Sequence, residues 1–177
     1  MAHPNVTWKK IACFSQNALK VMHFMFFSRS GLVHDHPMPV GTTVNGQCYC
    51  ALLQDKVRPA LHHKQPELPE HGVIFLQDNA ILQCHDVQNL VQHQGLDMLP
   101  HAPYSPDFIP CYYWLVACVK ENLWSKQIES EDDSNTAVNV SLYHLSTDEY
   151  RAAIDRLPHT WEKCVTMLVI ILSRRCV

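Results

Sequence analysis

The sequence has no acidic residue before Asp35, only 5 glycines, only 6 arginines against 12 histidines, and no long hydrophobic run. Each shortage excludes something. The longest aliphatic run, Met167 to Leu172, is far too short to span a bilayer, so no membrane partner is expected. The opening Met1-Ala-His-Pro4 has neither the basic head nor the apolar stretch of a secretory signal. A net charge of -3 does not describe a stand-alone DNA binder that grips phosphates through a basic surface. Lys9, Lys10, Lys20 and Arg29 supply only a local basic stretch. The 8 cysteines are scattered, and Cys48-Tyr49-Cys50 lacks the two-residue spacer of a zinc knuckle. The thiols are read as reduced and structural. The sequons at Asn5 and Asn139 are then chance matches.

What is present describes a globular chain. The apolar fraction of 47% and the charged fraction of 18% suit one packed domain at 177 residues. Residues 1–18 show no clear period. Leu19 to Phe27 reads LKVMHFMFF, a near-continuous apolar run suited to a buried strand. Ser28 to Gly31 is a turn signal, and Leu32 to Met38 completes a hairpin. Thr42 or Thr43 is the expected cap of a helix that places Tyr49, Leu52, Leu53, Val57, Ala60 and Leu61 on one face. Pro59 should kink that helix or end it early.

After a Pro-containing loop, Gly72 to Asp78 reads as a buried strand ending on a carboxylate. A helix from about His85 to His93 should close at Gly95, followed by a short strand from Leu96 to Leu99. Four prolines stiffen residues 100–110, and Pro110 suits the first position of a helix running to about Lys126. Further helices should fill Glu129 to Val177, with breaks near Ser146 and Pro158. This order of strands and helices predicts an α/β domain without internal repeats.

An Asp at the end of a buried strand is a common metal-holding position, and Asp78 is such a residue. Alone the signal is weak, because many strand ends carry an Asp simply to cap the next helix. The signal sharpens when LQDNA, residues 76–80, is read with PHAPYSPDFIPCYYWL, residues 100–115. Together they resemble the mariner-family DNA transposases, in which the second catalytic Asp lies in an (H/Q)DNA motif and the third in PHPPYSPDLAP(S/C)DYxLF. The KVM stretch at Lys20, the GTTVN turn at Gly41 and RLPHTWEKCV from Arg156 to Val165 extend the resemblance over nearly the whole chain.

The resemblance implies an RNase H-like (DDE/DDD transposase) α/β fold. In that family three acids hold two Mg²⁺ or Mn²⁺ ions that cut and join DNA. Here Asp78 matches the second acid and is the one metal ligand that survives. The third position is Tyr112, a phenol whose ordinary pKa of about 10 makes it a poor ligand at neutral pH. The first acid precedes the KVM strand in the family, and no Asp or Glu stands there. The helix-turn-helix units that recognise transposon ends are also missing. Asp107 belongs to the SPD turn, and Glu121 lies nine residues beyond Tyr112, roughly 13 Å along a helix. Neither substitutes for a lost acid. Asp78-Asn-Ala-Ile-Leu-Gln83 also departs from the family's DNAxPH.

The histidine excess fits decay of arginine codons, with chance composition as the competing explanation. Residues 166–177 read as a divergent tail, residues 19–165 as a partial catalytic domain and residues 1–18 as poorly defined. The expectation is a degenerate transposase fragment, nuclear by resemblance, with DNA contacts weak and non-specific at most. A homodimer is compatible with it. The alternative is a co-opted nucleic-acid- or protein-binding module. The family's first strand sits between the KVM strand and the strand ending at Asp78, so its loss should leave two facing edges unpaired. Residues 5–14 could fill the gap, the edges could close on each other, or the chain could stay partly unfolded.

Overall fold

The computed structural model describes residues 21–66, 73–77, 84–99, 105, 108–124 and 126–174, those after 166 by backbone alone. β1 (Met22–Ser28) and β2 (Gly31–Met38) form the expected antiparallel hairpin. Arg29 and Ser30 make the turn, and Gly31 takes φ 121°, which the missing Cβ permits. The register shifts between Phe26 and Phe27, a local irregularity that sharpens strand twist.

β1 is apolar on both faces because helices cover both. Phe24 and Phe26 pack on Tyr49, with ring centroids 5.6 and 6.4 Å away. From the other face Phe27 meets Trp114 at 5.8 Å and Tyr150 at 5.6 Å. The two clusters thus lie on opposite sides of one hairpin, which makes a layered α/β arrangement. The sequence pattern predicts a buried strand, but β1 is half-buried, because its faces are covered while one edge pairs with no strand among the described residues.

α1 (Gly46–Leu52) begins at Asn45, not at Thr42 or Thr43. The Asn45 side chain accepts from the Cys48 N–H at 2.8 Å, and the earlier threonines lie in the preceding turn and loop. Pro59 neither stops the helix nor shortens it. A π-helical turn over Leu53–Val57 precedes it, and α2 (Arg58–Lys64) continues with Pro59 in its first turn, where its missing N–H costs little. Tyr49, Leu52, Leu53 and Val57 are buried on the predicted face, while Ala60 and Leu61 are half-buried.

β3 (Val73–Phe75), α3 (His85–His93) and β4 (Leu96–Met98) form a crossover unit whose two strands are parallel. Val87 and Val91 are fully buried, and Gly95 closes α3 at φ 70°. β3 is shorter and less buried than its sequence suggests, with Ile74 67% exposed. Its one described neighbour is β4, so the sheet is split into two pairs, β1–β2 and β3–β4. The two pairs do not close on each other.

A second π-helical turn, Cys111–Leu115, starts at Pro110 and runs into α4 (Val116–Leu123). α5 (Glu131–Tyr143) and α6 (Thr147–Asp155) each open with a reciprocal capping box, Ser130 with Asp133 and Ser146 with Glu149. The first predicted break therefore falls at Ser146. The second falls at Arg156, because Pro158 is accommodated in the first turn of α7 (Leu157–Arg174). Leu115, Val119, Val138, Leu142 and Tyr150 form the second core.

Candidate functional site

The site expected from sequence lies where β3 ends and the π-helical turn Cys111–Leu115 begins. Tyr49 joins the two. It is 1% exposed, and its hydroxyl donates to the Gln77 side chain, one residue before Asp78. Burial, partly opposed by that hydrogen bond, pushes its phenol far above the ordinary value of 10.0, with Cys111 near enough to add to the shift. Gln77, Tyr49 and Cys111 thus lie together, with Tyr49 buried and the other two half-buried. Asp78 and Asp107 lie outside the described residues.

Tyr112 sits on the π-helical turn and is 46% exposed. Its amide donates to the Ile109 carbonyl at 3.0 Å, which fixes the backbone at that point. The flanking side chains point to a packed, proton-holding environment. Burial pushes the Cys111 thiol up to about 11, so it carries a proton at neutral pH. Tyr113 donates to the Ala153 carbonyl, and the Arg156 guanidinium lies 5.8 Å from its ring centre. Burial raises the Tyr113 phenol more than Arg156 lowers it. Glu121 is exposed on α4, beyond the π-helical turn that holds Tyr112. Among the described residues, no three His, Cys, Asp or Glu side chains are grouped as metal ligands.

Sequence reasoning passed over two polar features. The Tyr49–Gln77 bond was hidden because Tyr49 read simply as a core position. His23 and Asp35 form a pair at 3.1 Å with side chains only 6% exposed each, across the hairpin. The visible signal was a histidine inside an apolar strand with an aspartate in the facing one.

The layered sheet-and-helix core, with its crossover unit and split sheet, is an RNase H-like α/β fold. The likeness extends to sequence. A family model described as "Transposase (partial DDE domain)" matches residues 9–71. The Mariner Mos1 transposase of Drosophila mauritiana is 32% identical over 149 residues, covering 82% of this chain and 43% of its own. Histone-lysine N-methyltransferase SETMAR of Homo sapiens is 32% identical over 150 residues, covering 82% of this chain and 22% of its own. A solved structure of the Mos1 catalytic domain with Raltegravir and Mg superposes with a TM-score of 0.78 at 31% identity, covering 83% of this chain and 74% of that one. The chain belongs to the mariner-family transposases and corresponds to their catalytic-domain region. It spans less than half the length of these curated relatives.

Proposed function

We propose that this chain is a transposase-derived protein in which residues 19–165 retain the family's catalytic-domain fold without its DNA-cutting chemistry. The observation that carries the reading is Tyr112, a neutral phenol on the π-helical turn at the position where the family places its third acid. Two-metal catalysis needs converging hard oxygen ligands that carry charge. The described groups around this point are Gln77, Tyr49, Tyr112 and a protonated Cys111, which do not fit two divalent ions. Asp78 alone is a vestigial ligand, so no catalytic step is routed through Mg²⁺ or Mn²⁺.

Residual DNA contact on this reading is weak, insensitive to sequence and lost at moderate salt, given the net charge of -3. On this reading the protein is nuclear, by resemblance to a family that acts on DNA. A homodimer is compatible with this account. The reading is tested by incubating the purified chain with mariner-end DNA and Mg²⁺ or Mn²⁺. No nicked or joined product is expected above the no-metal control. Cleavage that vanishes in Asp78→Ala would overturn the proposal.

One observation favours a retained binding role as the second reading. A protein named for histone methylation carries a segment 32% identical to this chain, so the fold occurs alongside an activity other than transposition. A binding module would select for surface and stability and leave Tyr112 free to vary. A gel-shift with mariner-end DNA at physiological salt discriminates the readings, because the degenerate form gives no sequence preference.

A further inference from the structure

β2 carries two histidines on the face that meets the α1–α2 layer. The register sets His34 opposite Phe26 and His36 opposite Phe24, the two rings that pack on Tyr49. The His34 and His36 rings stack at 5.9 Å with 25° between their planes. His34 Nε2 is shut off from solvent and has no hydrogen-bond partner among the described residues. A neutral imidazole survives there at a cost. An imidazolium in the same place gives up its hydration without a partner that replaces it.

The charges around the ring add to that penalty. α2 is fastened to the hairpin at its C-terminal end. Lys64 Nζ donates to the Leu32 carbonyl, and Gln65 Nε2 donates to Ser28 Oγ at 2.8 Å. The first bond brings an ammonium group within two residues of His34. Lys56, on the π-helical turn Leu53–Val57, acts on the ring with the same sign. Asp35 opposes them, but it stands opposite Met25 on the other face of the hairpin, where His23 engages it at 3.1 Å. The remaining charges of the packed elements are directed elsewhere. Asp55 and Arg58 border the cleft against Asp86 and His93 of α3. His62 and His63 are exposed on α2. On the Phe27 side, α6 commits Asp155 to Arg29, Asp148 to Arg151 and Glu149 to its cap. Burial, and then the His36 ring, hold the His34 pKa below its ordinary 6.5, with Lys56 and Lys64 adding to them against Asp35.

We propose that His34 is a proton-operated latch between β2 and α2, neutral while α2 lies on the hairpin and releasing the Lys64–Gln65 end of α2 when it takes a proton. The opened form leaves the ring in water with its ordinary affinity for a proton. The closed form binds the proton more weakly. Closure is therefore complete above pH 6.5 and is lost as pH falls from there through the folded pKa. The latch uses none of the groups around Tyr112, so it stands or falls separately from the loss of DNA cutting.

The test is amide exchange of the full chain at about pH 7.5 and about pH 5.5, either side of the ordinary histidine value. Protection factors divide out the intrinsic effect of pH. Protection over residues 58–65 should fall about three- to tenfold at the lower pH, with about tenfold the limit for one histidine a unit below 6.5. Protection over α5 should hold. His34→Gln, which takes no proton, should abolish the fall. Lys56→Met, at an exposed position of the π-helical turn, serves if His34→Gln does not fold. It removes one cation, so it should raise the His34 titration midpoint, read from the proton shift of the ring Cε1–H, and reduce the fall.

Unchanged protection of 58–65 in the parent overturns the proposal. So does a fall of the same size in His34→Gln, or a His34 midpoint at or above 6.5.

Discussion

Tyr49 and Gln77 stand 28 positions apart in sequence, yet the phenol donates to the Gln77 side chain at the centre of the first core. The bond ties the first turn of α1 to the end of β3 and fixes where the chain leaves the strand toward Asp78. Tyr49→Phe keeps the ring against Phe24 and Phe26 but leaves Gln77 without this partner. The expected loss is about 1–2 kcal/mol in urea unfolding. Tyr49→Ala also opens a cavity and should cost about 3–5 kcal/mol. Equal stability of Tyr49→Phe and the parent would show that the bond contributes nothing.

The His23–Asp35 pair predicts strong non-additivity. Both side chains are nearly buried, so removing either strands a polar partner inside the hairpin. Asp35→Leu or His23→Leu alone should destabilise by about 1–3 kcal/mol, because each leaves the other polar group buried without this partner. The double substitution should be markedly less harmful than the sum of the two. A double-mutant cycle by chemical denaturation measures the coupling, and strict additivity would exclude a working pair.

Alkaline pH should unfold the protein through its buried phenols and thiol. Burial pushes Tyr150 up to about 12 and Cys111 up to about 11, from ordinary values of 10.0 and 9.0. Their folded pKa values lie above the unfolded ones, so the folded state holds the proton longer. The contribution is fully present below pH 9.0 and is lost as pH rises through 9.0 to about 11 for Cys111, and through 10.0 to about 12 for Tyr150. Urea midpoints should therefore fall across that window. Tyr150→Phe and Cys111→Ala should each flatten the decline, although both lower stability at neutral pH.

The elements the sequence discloses are those with local causes. A near-continuous apolar run and the Ser28 to Gly31 turn mark the hairpin, and Gly95 marks the end of α3. Ser146 with Glu149 marks the start of α6. What stayed illegible depends on distant partners. Asn45 replaces the threonines as cap because α1 starts later than its apolar pattern suggests. Pro59 is absorbed because a π-helical turn precedes it. Ile74 reads as core but is exposed, since burial there requires a neighbour for β3. At the candidate site, Tyr112 was legible through its motif, whereas the grouping of Gln77, Tyr49 and Cys111 needed the fold. Asp78 and Asp107 lie outside the described residues.

The capping boxes offer a local stability test. Ser146 accepts from the Glu149 N–H at 3.4 Å, while the Glu149 carboxylate accepts from the Ser146 N–H at 2.7 Å. Ser146→Ala should cost about 1 kcal/mol, read as a lowered urea midpoint. An unchanged midpoint would mean that α6 is held by the packing of Tyr150 alone.

The most direct test of the central claim is to put the carboxylate back. Tyr112 is 46% exposed, and the urea midpoint of Tyr112→Asp checks that the variant folds. Parent and variant are then assayed side by side for metal-dependent nicking of mariner-end DNA. The account predicts no Mg²⁺- or Mn²⁺-dependent product from the parent, because Tyr112 supplies no charged oxygen ligand at the third position. Cleavage by the parent chain, dependent on metal and abolished by Asp78→Ala, would contradict it.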